Sequence, residues 1–147
     1  MKPSKILLDT NILLDSILQR DEFVVNARKV IRYCVSLADG YVAAHSLTNI
    51  FYVLSQTEKR PIEDCRQNII KICQLFKICE INKENVIKAV TNIDFEDFED
   101  SLQYACAEDV DVDVIITRNV KDFPEKQIPV LTPAEFLNLL NSDESKN

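Results

Sequence analysis

Two short apolar runs that each stop in a polar cluster constrain this chain more than any other feature. Residues 5–8 (KILL) run into Asp9, Thr10 and Asn11. Residues 112–117 (VDVIIT) run into Arg118 and Asn119, with Asp122 just beyond. An apolar run too short for a helix fits a strand buried on both faces of a parallel sheet. Parallel neighbours require crossover connections, usually helical, so the stretches between such runs should carry helical periodicity.

Apolar residues do recur at helical spacing over 12–19 and 22–38, where Ala27, Val30, Ile31 and Cys34 fall on one stripe until Asp39 and Gly40 stop the pattern. Residues 41–44 form a second strand candidate, after which Ser46 or Thr48 caps a helix carrying Ile50, Phe51, Val53 and Leu54. Pro61 suits the first turn of a helix reaching 75, and 76–81 (FKICEI) alternates as a strand should. A helix over 83–90, another within 94–109, a short strand at 129–131 and a last helix over 134–140 complete the pattern. Strands separated by helices predict one α/β domain over 1–141. Its mostly parallel central sheet of about five strands is flanked by helices in three layers, α/β/α, and 142–147 form a polar C-terminal tail. At 147 residues and 46% hydrophobic content, a single core can form without covalent staples.

Composition narrows the chemistry. The cysteines, Cys34, Cys65, Cys73, Cys79 and Cys106, are odd in number and contain no C-x-x-C pair. They read as buried hydrophobes in a reducing compartment rather than as disulfides or zinc ligands. Asp9, Asn11 and Asp15 interrupt the apolar N-terminus far short of a membrane span or signal sequence, so a cytoplasmic protein with no membrane role is expected. With Gly40 the only glycine, no P-loop or G-x-G-x-x-G turn can cradle a nucleotide cofactor. His45 is the only histidine, and a Ser-His-Asp or Cys-His mechanism would depend on it alone. It reads as structural. The net charge of −7 opposes nonspecific nucleic-acid binding, unless part of the negative charge holds a cation that reverses the local field.

In a sheet of this kind, ligands bind beyond the carboxyl ends of the strands, which would bring the polar clusters at 9–11 and 117–122 to one edge. Hard divalent cations take oxygen ligands, one or two carboxylates with waters and substrate phosphates, and need neither imidazole nor thiolate. The helix within 94–109 puts Phe98, Leu102 and Ala105 on one stripe and Asp97, Asp100 and Tyr104 nearly opposite, with Asp97 one turn from Asp100. Asp94, Glu96 and Glu99 are explained by the helix dipole, Asp15 by an exposed helix surface, and Tyr104 by a half-buried helix seam.

Four segments in order, ILLDTNILLD, SLTNIFYVL, DFEDSLQYACA and IITRNVKDF, resemble the motifs of the PIN-domain family of metal-dependent ribonucleases, in particular its VapC-like toxins. The resemblance runs from Lys5 to about Leu140. It implies that Mg2+ or Mn2+, bound by clustered acids, activates a water for attack on an RNA phosphodiester. It places this role on Asp9 and Asp100, and on Asp122 or Asn119 in the last motif, directly or through water. Asp97 is a further candidate ligand. Thr10, Asn11, Thr117 and Arg118 are candidates for positioning water or phosphate. Asn49 departs from the pattern, because it stands where the second motif usually has an acid, and a neutral amide ligates more weakly. The resemblance further implies an RNA substrate, an antitoxin partner protein and a homodimer. The rival reading is a catalytically weakened module that binds RNA or a partner protein. Phosphatase or 5′ nuclease activity is disfavoured, since the added helical elements such nucleases usually carry are missing.

Overall fold

In the computed structural model, which describes residues 2–124 and 127–145, the buried run Lys5–Leu8 is the central strand, β1. After it come α1 (Thr10–Ile17), α2 (Val24–Ser36), β2 (Asp39–Ala43), α3 (Ala44–Tyr52), α4 (Ile62–Leu75), β3 (Lys77–Cys79) and α5 (Lys83–Thr91). The chain continues through α6 (Phe98–Val110), β4 (Val114–Ile116), a 3-10 turn (Val120–Asp122), β5 (Val130–Leu131) and α7 (Pro133–Ser145). The five strands lie in the order β3-β2-β1-β4-β5, every pair parallel.

Strand alternation divides the core between the two faces of the sheet. Ile6, Leu8, Val42, Val114 and Ile116 pack with Ile12, Val30, Ile50, Ile72 and Phe136 from α1, α2, α3, α4 and α7. Leu7, Ala43, Cys79 and Ile115 pack on the opposite side with Tyr104, Cys106 and Ala107 of α6 and with Phe95 and Phe123. The expected single three-layer α/β/α domain is what forms. Because β2 and β3 extend the sheet on one side of β1 and β4 and β5 on the other, the chain reverses direction between β1 and β4. The crevice at their carboxyl ends is the topological switch point.

Local differences from the sequence reading have physical causes. Gly40 does not stop α2, which closes at Leu37, but lies buried within β2 opposite Ile6. A Cβ there would meet the Phe76 ring at 2.7 Å and Cys34 Cβ at 2.9 Å, so close packing explains the glycine. Neither Ser46 nor Thr48 caps α3. The helix starts two residues earlier, Ser46 is buried inside it, and Thr48 Oγ1 donates to His45 O at 2.7 Å. α3 relaxes into a π-helical turn over Val53–Thr57, a feature that often adjoins functional sites.

α6 lacks the two-sided stripe expected of it. Residues 101–107 are all buried, with Tyr104 at 3% exposure, while Phe98 is exposed. The helix is covered by the sheet on one side and by α5 on the other, where Ser101 Oγ donates to Ala89 O at 2.9 Å. The last helix runs on to Ser145 rather than ending at 140. Residues 146 and 147 of the expected tail lie outside the described residues. Among the described residues no helix is long and apolar enough to cross a membrane. Cys34, Cys65, Cys79 and Cys106 are free and buried, and Cys73 is free and exposed. Burial pushes the thiols of Cys34 and Cys79 up to about 12 and that of Cys106 to about 11.

Candidate active site

Asp9 extends β1 by one residue, its N–H donating to Ile116 O of β4 at 3.0 Å. It precedes α1 in extended conformation, yet its side chain does not cap that helix. Instead Oδ1 accepts from Gln103 Nε2 at 2.8 Å and Oδ2 from Thr117 Oγ1 at 2.7 Å. Asp9 is 6% exposed, and both partners are buried. Two donors fix its plane while lone pairs on both oxygens remain for another ligand. Thr117 Oγ1 in turn accepts from Asn119 N at 3.2 Å, which holds the turn after β4.

Asp9 forms the floor of a cavity of about 390 Å3 at the switch point. Thr10 and Asn11 of α1 and Asn49 of α3 form one side, Asp97 at the start of α6 with Glu99 and Asp100 within it another, and Thr117, Asn119 and Asp122 beyond β4 the third. An adjoining cavity of about 610 Å3 shares Asp97, Asp100 and Asp122 and adds Lys121. Asp9 and Asp122, 113 positions apart in the chain, therefore share one cleft through the strand order.

Asp97 is the N-cap of α6, accepting from Asp100 N at 3.0 Å, so its helix-terminal role and its place in the cavity coexist. The Asp100 carboxyl is pushed up to about 7, first by burial and then by the charges of Asp9, Asp97, Asp122 and Glu99. Like charges gathered in a partly desolvated cleft favour either protonation or a cation. Each ionisable side chain lining this cavity is an aspartate or glutamate, so the donor set suits a hard divalent ion. Among the described residues no three His, Cys, Asp or Glu side chains converge on one point. That spacing fits an ion held by one or two carboxylates with its remaining positions filled by water or phosphate.

Arg118, expected here, is elsewhere. Its Nε lies 2.8 Å from Asp15 Oδ2, and its guanidinium stacks 4.1 Å over the Phe23 ring, outside both acidic cavities. Asp15 is not a surface residue but 1% exposed. It also pairs with Arg20 at 3.0 Å, and Arg20 donates to Asn11 Oδ1 at 3.2 Å. A buried carboxylate flanked by two guanidiniums accounts for Arg118 being turned away from the cleft. His45 is structural, with Nε2 3.2 Å from Glu99 O, and burial lowers its pKa although neighbouring acids raise it.

Gln103 was missed although the sequence carries a signal for it. It is an amide inside the apolar LQYACA stretch, one turn beyond Asp100, and a fully buried amide needs a partner. Glu99 was set aside as a helix-dipole residue, and sequence alone offers nothing to aim it at the cavity.

Comparison with known proteins shows the family. Residues 5–121 match the PIN domain family model. The chain belongs to the PIN-domain family. It is 27% identical to Ribonuclease VapC1 of Aquifex aeolicus (strain VF5), over 97% of this chain and 99% of that protein. Its fold is similar to that in a toxin-antitoxin complex from Klebsiella pneumoniae, with a TM-score of 0.66 at 22% identity, covering 87% of this chain and 97% of the other. It is likewise similar to that in VapBC-1 of nontypeable Haemophilus influenzae, with a TM-score of 0.66 at 14% identity, covering 88% and 98%. The PIN-domain segment ends at 121, so both Asp9 and Asp100 lie within it and Asp122 immediately follows.

Proposed function

We propose that this PIN domain is a divalent-metal-dependent endoribonuclease acting as the toxin of a toxin–antitoxin module. The observation that carries the reading is that Asp9, Asp100 and Asp122 line one oxygen-rich cleft at the switch point. The similarity to a protein named a ribonuclease supports RNA as the substrate, and the similarity to toxin–antitoxin complexes supports a cognate antitoxin. A homodimer working in the cytoplasm completes the reading.

Asp9 and Asp100 would hold Mg2+ or Mn2+, with Asp122, Asp97 and Asn119 in reach of its waters. When bound, the ion lowers the pKa of a bound water and offsets charge on the leaving oxygen. The protein's own part is positional. Gln103 and Thr117 orient the Asp9 carboxylate, and Asn119, held by Thr117, shapes the turn that carries Asp122. Asn11, Thr10 and Asn49 present neutral polar groups to water or phosphate from the opposite side. Lys121, which lines the adjoining cavity, would meet a flanking phosphate. Because burial and neighbouring acids raise the Asp100 carboxyl to about 7, a cation in the cleft would favour its ionised, ligating form at neutral pH.

A second reading, a binding module of reduced or absent activity, draws on Asn49, which presents an amide to the cavity where the family's motif usually has an acid. One experiment separates the two. Protein stripped with chelator is tested on a mixed fluorescent RNA with and without Mg2+ or Mn2+, beside Asp9→Asn and Asp100→Asn. Metal-dependent cutting by the parent, lost in both variants, supports the nuclease. Folded protein that cuts none of a broad RNA set at any metal concentration favours the binding module.

A further inference from the structure

The side of the cavity built by α3 carries no charge, because Asn49 is the α3 polar residue that lines it. Glu99, on the first turn of α6, lies beside that same side, as two approaches show. Its backbone carbonyl lies 3.2 Å from Nε2 of His45 at the start of α3. Its Oε1 lies 3.5 Å from Thr10 Oγ1, which is 2.8 Å from Ser46 Oγ. Ser46 and Asn49 are three residues apart on α3 and therefore share a helix face. Among the described residues no lysine or arginine pairs with Glu99, so its charge is left to the cavity it lines.

We propose that Glu99 supplies, from α6, the carboxylate that α3 lacks at Asn49, and that it binds the cleft's divalent cation directly or through one water. The assignment rests on the metal-dependent nuclease reading. A carboxylate arriving from a neighbouring helix serves a hard cation as well as one from α3, since such ions impose oxygen chemistry and not a chain position. Glu99 and Asn49 then form an exchangeable pair, in which the site needs one charge from the two positions together.

The test uses the full chain, stripped with chelator and titrated with Mn2+ alone by calorimetry, before any RNA is added. Glu99→Gln should weaken Mn2+ binding by roughly 10- to 100-fold, the usual effect of losing a supporting group at a metal site. Asn49→Glu added to Glu99→Gln should recover most of that loss, a coupling that independent positions would not show. Glu99→Asp, which keeps the charge but withdraws it, should fall between parent and Glu99→Gln. Circular dichroism on each variant confirms the fold. The assignment is overturned if Glu99→Gln binds Mn2+ within about twofold of the parent, where supporting groups usually cost tenfold or more. It is also overturned if the double variant shows no recovery. If Asp9→Asn abolishes binding while Glu99→Gln does not, the nuclease reading stands without Glu99. If the parent takes up no Mn2+, both fall.

Discussion

Asp15→Asn is the substitution that most sharply tests how the cleft is supported. Asp15 is 1% exposed and bridges Arg20 and Arg118 at 3.0 and 2.8 Å. The amide keeps the volume but leaves both guanidiniums without a counter-charge. Removing one partner of a fully buried pair costs about 3–5 kcal/mol. The two arginines are 33% and 23% exposed, so water can reach the stranded charges, and about 2–3 kcal/mol is the better expectation. For a domain of this size, each kcal/mol lowers Tm by roughly 2–4 °C, so a fall of roughly 4–12 °C follows. Urea unfolding at matched pH, with parent and variant fitted to a common slope, measures the change directly. Because Arg20 also donates to Asn11 and Arg118 adjoins Asn119, RNA cleavage should fall as well. A loss of stability below about 0.5 kcal/mol, the range of an ordinary surface change, would refute the claim that this network joins α1 to the turn after β4.

Three further outcomes follow from the same geometry. The Asp100 carboxyl is raised from 3.8 to about 7 in the fold, so its contribution to stability is full below about pH 4 and is lost as pH rises through 7. Relative to the parent, Asp100→Asn should therefore gain stability across that window in metal-free buffer, and added Mg2+ should close the gap by stabilising the parent. A pH-independent difference in thermal unfolding would contradict this. Gln103→Leu leaves Asp9 Oδ1 without its donor and should lower Mn2+ affinity by roughly 10- to 100-fold in calorimetry, with unchanged affinity as the contrary result. Gly40→Ala forces a Cβ to within 2.7 Å of the Phe76 ring and should cost about 1–3 kcal/mol in urea unfolding, whereas a neutral result would mean that Phe76 moves freely.

The fold was legible because its signals are local and strong. KILL and VII carry buried strands, and the helical stretches between them admit little besides a parallel sheet. From strand order came the meeting of Asp9 with Thr117, Asn119 and Asp122. What stayed hidden were properties of side-chain direction. Arg118 sits beside the cleft in sequence but is drawn away by the buried carboxylate of Asp15 in α1, and no periodicity announces that pairing. Asp15 looked like a solvated helix residue because its partners come from outside α1, Arg20 from the loop after it and Arg118 from the turn after β4, about a hundred residues on. For α6, an amphipathic pattern was expected where a central helix covered on two sides has none. Glu99 shows the opposite failure, since the helix dipole explains an acid there without revealing where its carboxylate points.

The central claim is that the cleft between the ends of β1 and β4 holds a divalent ion on Asp9 and Asp100. Crystals soaked in Mn2+ and measured at the manganese edge test it most directly. The account predicts an anomalous peak bounded by the carboxylates of Asp9 and Asp100, with Asp122 or its water beside it, and no such peak in Asp9→Asn. A peak confined to other surface carboxylates, or an empty cleft in crystals of protein that cleaves RNA with Mn2+, would contradict it.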